Sequence, residues 1–186
     1  VLAEQVVLTP TFVGSEPVIA EAGKYKGTAS LQGEQRQGLA LLRSLTDMQR
    51  AKAIVSVSKD GNNNIGEAFK DNVVLDYAGV RATELSPPQR AALLSLVDAY
   101  VGNMDDGHAR VKMTEVQAHL DDTYFAWIGG TDDRSVFYYR IHSPVILIEF
   151  DHQRPAGLRH LYPGDRPMQQ HVHVVMRTAN GNVYGK

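Results

Sequence analysis

Two stretches near the end of the chain alternate apolar and polar residues with a period of two, and they restrict the fold more than anything before them. Phe137-Tyr138-Tyr139-Arg140-Ile141-His142 runs through Ser143-Pro144 into Val145-Ile146-Leu147-Ile148-Glu149-Phe150-Asp151, and Gln170-His171-Val172-His173-Val174-Val175-Met176-Arg177 follows. Such alternation marks β-strands whose two faces meet different surroundings. Phe137, Tyr139 and Ile141 share one face of the first strand, and Tyr138, Arg140 and His142 share the other. A two-residue turn at Ser143-Pro144 predicts that His142 pairs with Val145, Arg140 with Leu147 and Tyr138 with Glu149. That register gathers the apolar sets on one side, as burial requires. In the last strand Val172, Val174 and Met176 oppose His171, His173 and Arg177.

Upstream the period changes. Leu39, Leu41, Leu42 and Leu45 fall at helical spacing, and Thr46-Asp47 offers an N-cap for a second helix running to about Ser56. Ser86-Pro87-Pro88-Gln89 is a helix start with proline in the first turn, where a missing N–H costs nothing. Leu93, Leu94, Leu96, Val97 and Val101 supply that helix's buried side, and a fourth helix is expected over about Asp105 to Leu120. Residues 4 to 13 read as a short hairpin. Lys59-Asp60-Gly61-Asn62-Asn63-Asn64 is turn chemistry, and residues 65 to 85 read as loop with at most one strand at Val73 to Leu75. Tyr124 to Ile128 is a further strand. The fold class expected is α+β: a largely antiparallel sheet with about four helices packed on one face.

At 186 residues the chain suits a single domain over 1–186, and its Val1-Leu2-Ala3 opening reads as part of a longer parent chain. A formal charge of −2 with scattered basic residues gives no electrostatic case for nucleic acid as a partner. No apolar run reaches the roughly 18 residues of a membrane span. There is no cysteine, so disulfides and thiolates are excluded and any metal must be held by His, Asp or Glu. These facts decide no compartment.

The helices most simply cover the apolar face, which leaves His171, His173, Glu149, Arg140 and Tyr138 on the other. Two imidazoles at i and i+2 on a strand can converge on one metal ion, and a carboxylate from a neighbouring strand makes the usual third ligand. The metal ligands expected are therefore His171, His173 and Glu149, holding zinc, iron or copper. Arg140 is the expected clamp for an anionic substrate or transition state, and Tyr138 the hydrogen-bond donor. The plain alternative is a solvated sheet face on which Arg140 pairs with Glu149 across strands. Motifs for phosphate loops and for serine nucleophile elbows are absent from the sequence. His142 and His152 read as rim residues or as residues without a role in the site, and His108 and His119 as helix-borne capping or partly buried residues.

Taken as a set, Tyr124-Phe125-Ala126-Trp127-Ile128-Gly129, Tyr138 to Pro144, Ile148-Glu149-Phe150, His171-Val172-His173 and Arg177 to Gly185 resemble the C-terminal half of an uncharacterised bacterial and fungal family, domain of unknown function 3500. Leu41 to Ala53 and Pro87 to Val101 fit it too. Members of that family carry a Gly-His-His element upstream of the segment matching Val1. The resemblance thus implies a histidine metal site to which an upstream segment contributes. Ala179 and Val183 stand where the family tends to have proline and aspartate.

Two functions from different classes follow. The first is a metal-dependent enzyme, hydrolytic or oxidative, acting on a small-molecule substrate through His-x-His plus Glu. The second is a non-catalytic structural or assembly subunit of a homo-oligomer. A binder of carbohydrate or small anions using Arg140, Arg177 and Tyr138 is a third reading.

Overall fold

The computed structural model describes residues 6–66 and 74–179. Its strands are β1 (Thr11–Ser15), β2 (Ile54–Ser56), β3 (Val80–Arg81), β4 (Tyr124–Gly129), β5 (Phe137–His142), β6 (Leu147–His152) and β7 (Val172–Arg177). The helices are α1 (Gln32–Ser44), α2 (Asp47–Ala53), α3 (Pro87–Val101) and α4 (Asp106–Ala118). The strands form one sheet in the order β1-β7-β6-β5-β4-β2, with β3 also pairing to β4. Every pairing is antiparallel except the parallel contact of β2 with β4. The architecture is α+β.

Local chemistry sets the helix starts. Thr46 caps α2, its Oγ1 accepting from Gln49 N–H while Gln49 Oε1 accepts from Thr46 N–H. At α3 the Gln89 side chain accepts from Ser86 N–H at 2.8 Å, and Pro87-Pro88 fills the first turn. Leu39, Leu41 and Leu42 of α1 and Leu93, Leu96, Val97 and Val101 of α3 bury against Phe125, Trp127, Phe137, Tyr139, Ile141, Ile148 and Phe150 of the sheet. Tyr139 and Phe150 stack with ring planes 3° apart and centroids at 5.0 Å, in the middle of this face. Gly38 lets α1 approach Tyr139: a Cβ there would lie 2.4 Å from the ring.

Four expectations are corrected. The β5–β6 connection is not a two-residue turn. It takes four residues, because Ser143 N–H donates to Ile146 O and the Ser143 hydroxyl accepts from Val145 and Ile146 N–H. The register is therefore Tyr138 with Asp151, Arg140 with Glu149 and His142 with Leu147. The shift is two residues, so every side chain keeps its expected face. Residues Ile54–Ser56 leave the helix after Ala53 and pair with β4, where the β-branched pair Ile54-Val55 suits extended backbone. Thr11–Ser15 is an edge strand on β7, and residues 6–10 form no strand of a hairpin with it. The strand expected at 73–75 lies partly outside the described residues, and Val74 and Leu75 carry no regular structure. The short strand there is Val80–Arg81 instead.

Candidate functional site

The second sheet face is polar, yet it is buried. Tyr138, Arg140 and His142 of β5 lie beside Leu147, Glu149 and Asp151 of β6, which lie beside His173, Val175 and Arg177 of β7. Glu149 and Asp151 are 0% exposed, Arg177 and His142 1%, and Arg140 8%. The alternative of a solvated face is thereby overturned. Among the described residues, what covers it is not a helix but the loop after β2. Four consecutive backbone N–H groups there point down at the two carboxylates: Asn63 and Asn64 donate to Asp151 Oδ2 at 2.6 and 3.2 Å, and Ile65 and Gly66 donate to Glu149 at 2.9 and 2.6 Å. Buried charge is tolerable only when partners of this kind satisfy it.

Tyr138, Arg140 and Lys59 are each held in this layer by a polar partner. Tyr138 donates to Glu149 Oε1 at 2.6 Å, and its phenol is pushed well up by burial and by that carboxylate. Arg140, directly opposite Glu149, donates to Asp76 O at 3.1 Å. Lys59 reaches in with its Nζ 2.8 Å from Asp151 Oδ1, both side chains all but inaccessible. Burial lowers the lysine and Asp151 pulls it back only in part. Burial pushes Asp151 up to about 6 against Lys59 and the loop donors. His142 packs under Tyr77 at 4.4 Å, and neither ring nitrogen has a hydrogen-bond partner among the described residues. Burial, then Arg140 and Arg177, lower it to about 4.

His171 and His173 sit at the edge of this layer, on the floor of an open cleft of about 760 Å³. Asn62, Gln153, Arg154, Arg159 and Asp165 also line it. The two rings meet edge to face, with Nε2 atoms 3.0 Å apart. His171 Nδ1 lies 2.6 Å from Arg154 O. A carbonyl only accepts, so Nδ1 carries the proton and the Nε2 lone pair of His171 faces His173. His173 is lowered to about 4 by burial and by His171, with Glu16 opposing, so it is neutral at pH 7. Its ring fits because Gly14 lies opposite in β1: a Cβ there would come within 3.1 Å of His173 Cδ2. Phe12 abuts the ring edge-on at 4.8 Å.

The expected set is thus divided. His171 and His173 come together, whereas Glu149 is paired to Val175 in register and bound to the loop. Asp151 is the carboxylate opposite His173. Among the described residues no group of three or more His, Asp or Glu side chains is arranged to hold a metal ion. Tyr138 and Arg140 lie in the buried layer rather than on the cleft. His152 is not a rim residue. It sits on the apolar face, where Nδ1 accepts from Phe137 N–H at 2.9 Å and Nε2 faces Gln35 Oε1 at 3.2 Å. Burial lowers it to about 3.

Glu16 has no warning in the sequence beyond its place before a proline. It accepts from Ala156, Gly157 and Leu158 N–H and stands 3.8 Å from His171 Nδ1, fixing the cleft wall beside that ring. Burial raises its carboxyl, but the three donors and His171 outweigh it and the net shift is downward. Lys59 and the Asn62–Gly66 cover were likewise legible only as a turn.

No helix of the described residues is long and apolar enough to cross a membrane. No curated protein and no solved structure matches the chain. One family model does, over residues 1–186, and its description is "Protein of unknown function (DUF3500)". With the whole sequence inside that match, the chain belongs to the DUF3500 family.

Proposed function

We propose that the chain is a metal-dependent enzyme, hydrolytic or oxidative, whose metal sits between His171 and His173 at the floor of the cleft. The observation that carries this reading is the pair of Nε2 atoms 3.0 Å apart, with His171 oriented from behind by the Arg154 carbonyl. Zinc–imidazole bonds of about 2.0–2.1 Å place two nitrogens 3.0 Å apart at an angle near 94° at the metal, within the range of real coordination polyhedra. An Nδ1–H held by a backbone carbonyl is the usual outer support of such a ligand. Neutral imidazoles are what metal binding requires, and burial keeps His173 neutral.

Two protein ligands leave positions for water and substrate. A bound metal would supply Lewis acidity or, if redox-active, electron transfer. The chain's own part is to orient the imidazoles, to wall the cleft with Arg154 and Arg159, and to brace the site from below. In this reading Tyr138, Arg140 and Glu149 form the bracing and make no contact with substrate. A second reading, as a subunit of a homo-oligomer, draws support from β1. It ends the sheet order, with Phe12 and Val13 about half exposed. Among the described residues no strand pairs with its outer edge, and such edges invite another copy.

Metal content by plasma mass spectrometry, on protein purified without a histidine tag, tests the first reading. The parent chain is expected to carry near-stoichiometric zinc, iron or copper, and His171→Ala/His173→Ala to lose it while keeping the parent's circular dichroism. Added Co²⁺ or Cu²⁺ should give a ligand-field band in the parent alone. A folded parent that binds none of these ions would remove the enzyme reading, and its mass by light scattering would then bear on the second.

A further inference from the structure

We propose that Lys59 and Asp151 join covalently, through an amide between Lys59 Nζ and Asp151 Cγ that bolts the covering loop to β6. The reactants are already in contact, with Nζ 2.8 Å from Oδ1 and side-chain exposures of 1% and 0%. That contact is a buried ion pair between Nζ and Oδ1. The nitrogen also donates to Gly61 O, which ties it to the covering loop. Gly129, at φ +109°, makes room for the lysine stem, whose Cβ would lie 3.1 Å from a Cβ at that glycine.

The other carboxylate oxygen is prepared for the reaction. Asp151 Oδ2 accepts from Asn63 N–H, Asn64 N–H and the Gln153 side-chain amide. Three donors on one oxygen are an oxyanion hole for the tetrahedral stage of acyl transfer. Desolvation works in the same direction, because removal from water penalises the charged forms of both groups. Holding both groups in one place replaces a bimolecular step with an intramolecular one, which is worth several powers of ten in effective concentration.

The step balances without a cofactor. One ammonium proton passes to Oδ1, leaving the amine lone pair to attack Cγ. The Cγ–N bond forms and the negative charge collects on Oδ2 under its three donors. A second proton moves from nitrogen to Oδ1, the Cγ–Oδ1 bond breaks, and water leaves. One N–H remains on the amide, and the charges of the pair cancel.

Intact mass of the full chain under denaturing conditions decides the matter. The purified protein is expected to weigh less than its sequence by one water, and Lys59→Arg to show the full mass. Protease digestion should release a branched peptide containing both Lys59 and Asp151. Asp60-Gly61 next door can also lose water, by cyclising to a succinimide. Asp60→Ala is therefore expected to keep the deficit. A parent at full mass overturns the proposal, and so does a deficit that survives Lys59→Arg.

Discussion

The two faces of this sheet are buried equally well by opposite means. On one, Phe125, Trp127, Phe137, Tyr139, Ile141, Ile148 and Phe150 meet the leucines of α1 and α3. On the other, Glu149 and Asp151 meet four backbone N–H groups of a loop, with Lys59, Arg140 and Arg177 in the same layer. Packing on the first face is mostly non-directional and tolerates hydrophobic changes that conserve volume. The second is directional, since each charge is tolerable only while its own partners stay in place. Period-two alternation therefore reports a difference between faces. It does not report which face is wet.

The sharpest way to break the symmetry is to remove one charge. Glu149→Ala strips the acceptor from Ile65 N–H, Gly66 N–H and the Tyr138 hydroxyl, and leaves Arg140 facing no carboxylate. Losing one member of a buried charged network costs about 3–5 kcal/mol. Urea unfolding of Glu149→Ala should show a loss of that size. Glu149→Gln should recover part of it, because the amide oxygen still accepts. A loss under about 1 kcal/mol would mean that the layer contributes little.

A titratable group on the apolar face gives the next largest effect. His152 has a folded-state value of about 3, below the ordinary 6.5, because burial opposes its charge. Between those two values the unfolded chain binds the proton and the folded chain does not. Stability from this group is therefore complete above about pH 6.5 and declines as pH falls toward 3. At pH 5 the deficit is about 2 kcal/mol, at 1.36 kcal/mol per unit. His142 and His173 act with the same sign, so the isolating measurement is a difference. His152→Gln is expected to lose less stability than the parent between pH 6.5 and 5. Parallel curves for the two proteins would reject the assignment.

Much of the molecule was legible where side chains carry the information. The split of Phe137, Tyr139 and Ile141 from Tyr138, Arg140 and His142 survived a two-residue error in register, because faces repeat every second residue. The Ser86-Pro87-Pro88 start of α3 was legible because the capping chemistry is local. His171 and His173 were legible as neighbours because i and i+2 on a strand point the same way. What escaped is what backbone groups do. Asn63 to Gly66 hold Glu149 and Asp151 through main-chain N–H, which any sequence could supply, so the run of asparagines gave only a turn. Glu16 escaped because its partners, Ala156 to Leu158, are also main-chain groups. The Ser143 hydroxyl closing a four-residue turn was visible as a residue, but not as the acceptor that sets the register.

The smallest test compares one glycine on each side. In α1, a Cβ on Gly38 would lie 2.4 Å from Tyr139 Cε1 and 2.8 Å from Cδ1. That ring cannot retreat, being stacked on Phe150 and bound through its hydroxyl to Tyr100 and to Glu34 O. Overpacking of this kind costs about 1–3 kcal/mol, partly offset by the gain of about 1 kcal/mol when alanine replaces glycine inside a helix. Gly38→Ala should therefore destabilise by up to about 2 kcal/mol in thermal or urea unfolding. Beneath the loop, a Cβ on Gly66 would stand 3.0 Å from Glu149 Oε2 and 3.3 Å from Arg177 Nε. Those are side-chain ends that need yield only a few tenths of an ångström, so Gly66→Ala should cost under about 1 kcal/mol. If the order reversed, with Gly66→Ala the more damaging, the polar face would be the more rigidly packed of the two. The loop would then have to be regarded as part of the core and not as its cover.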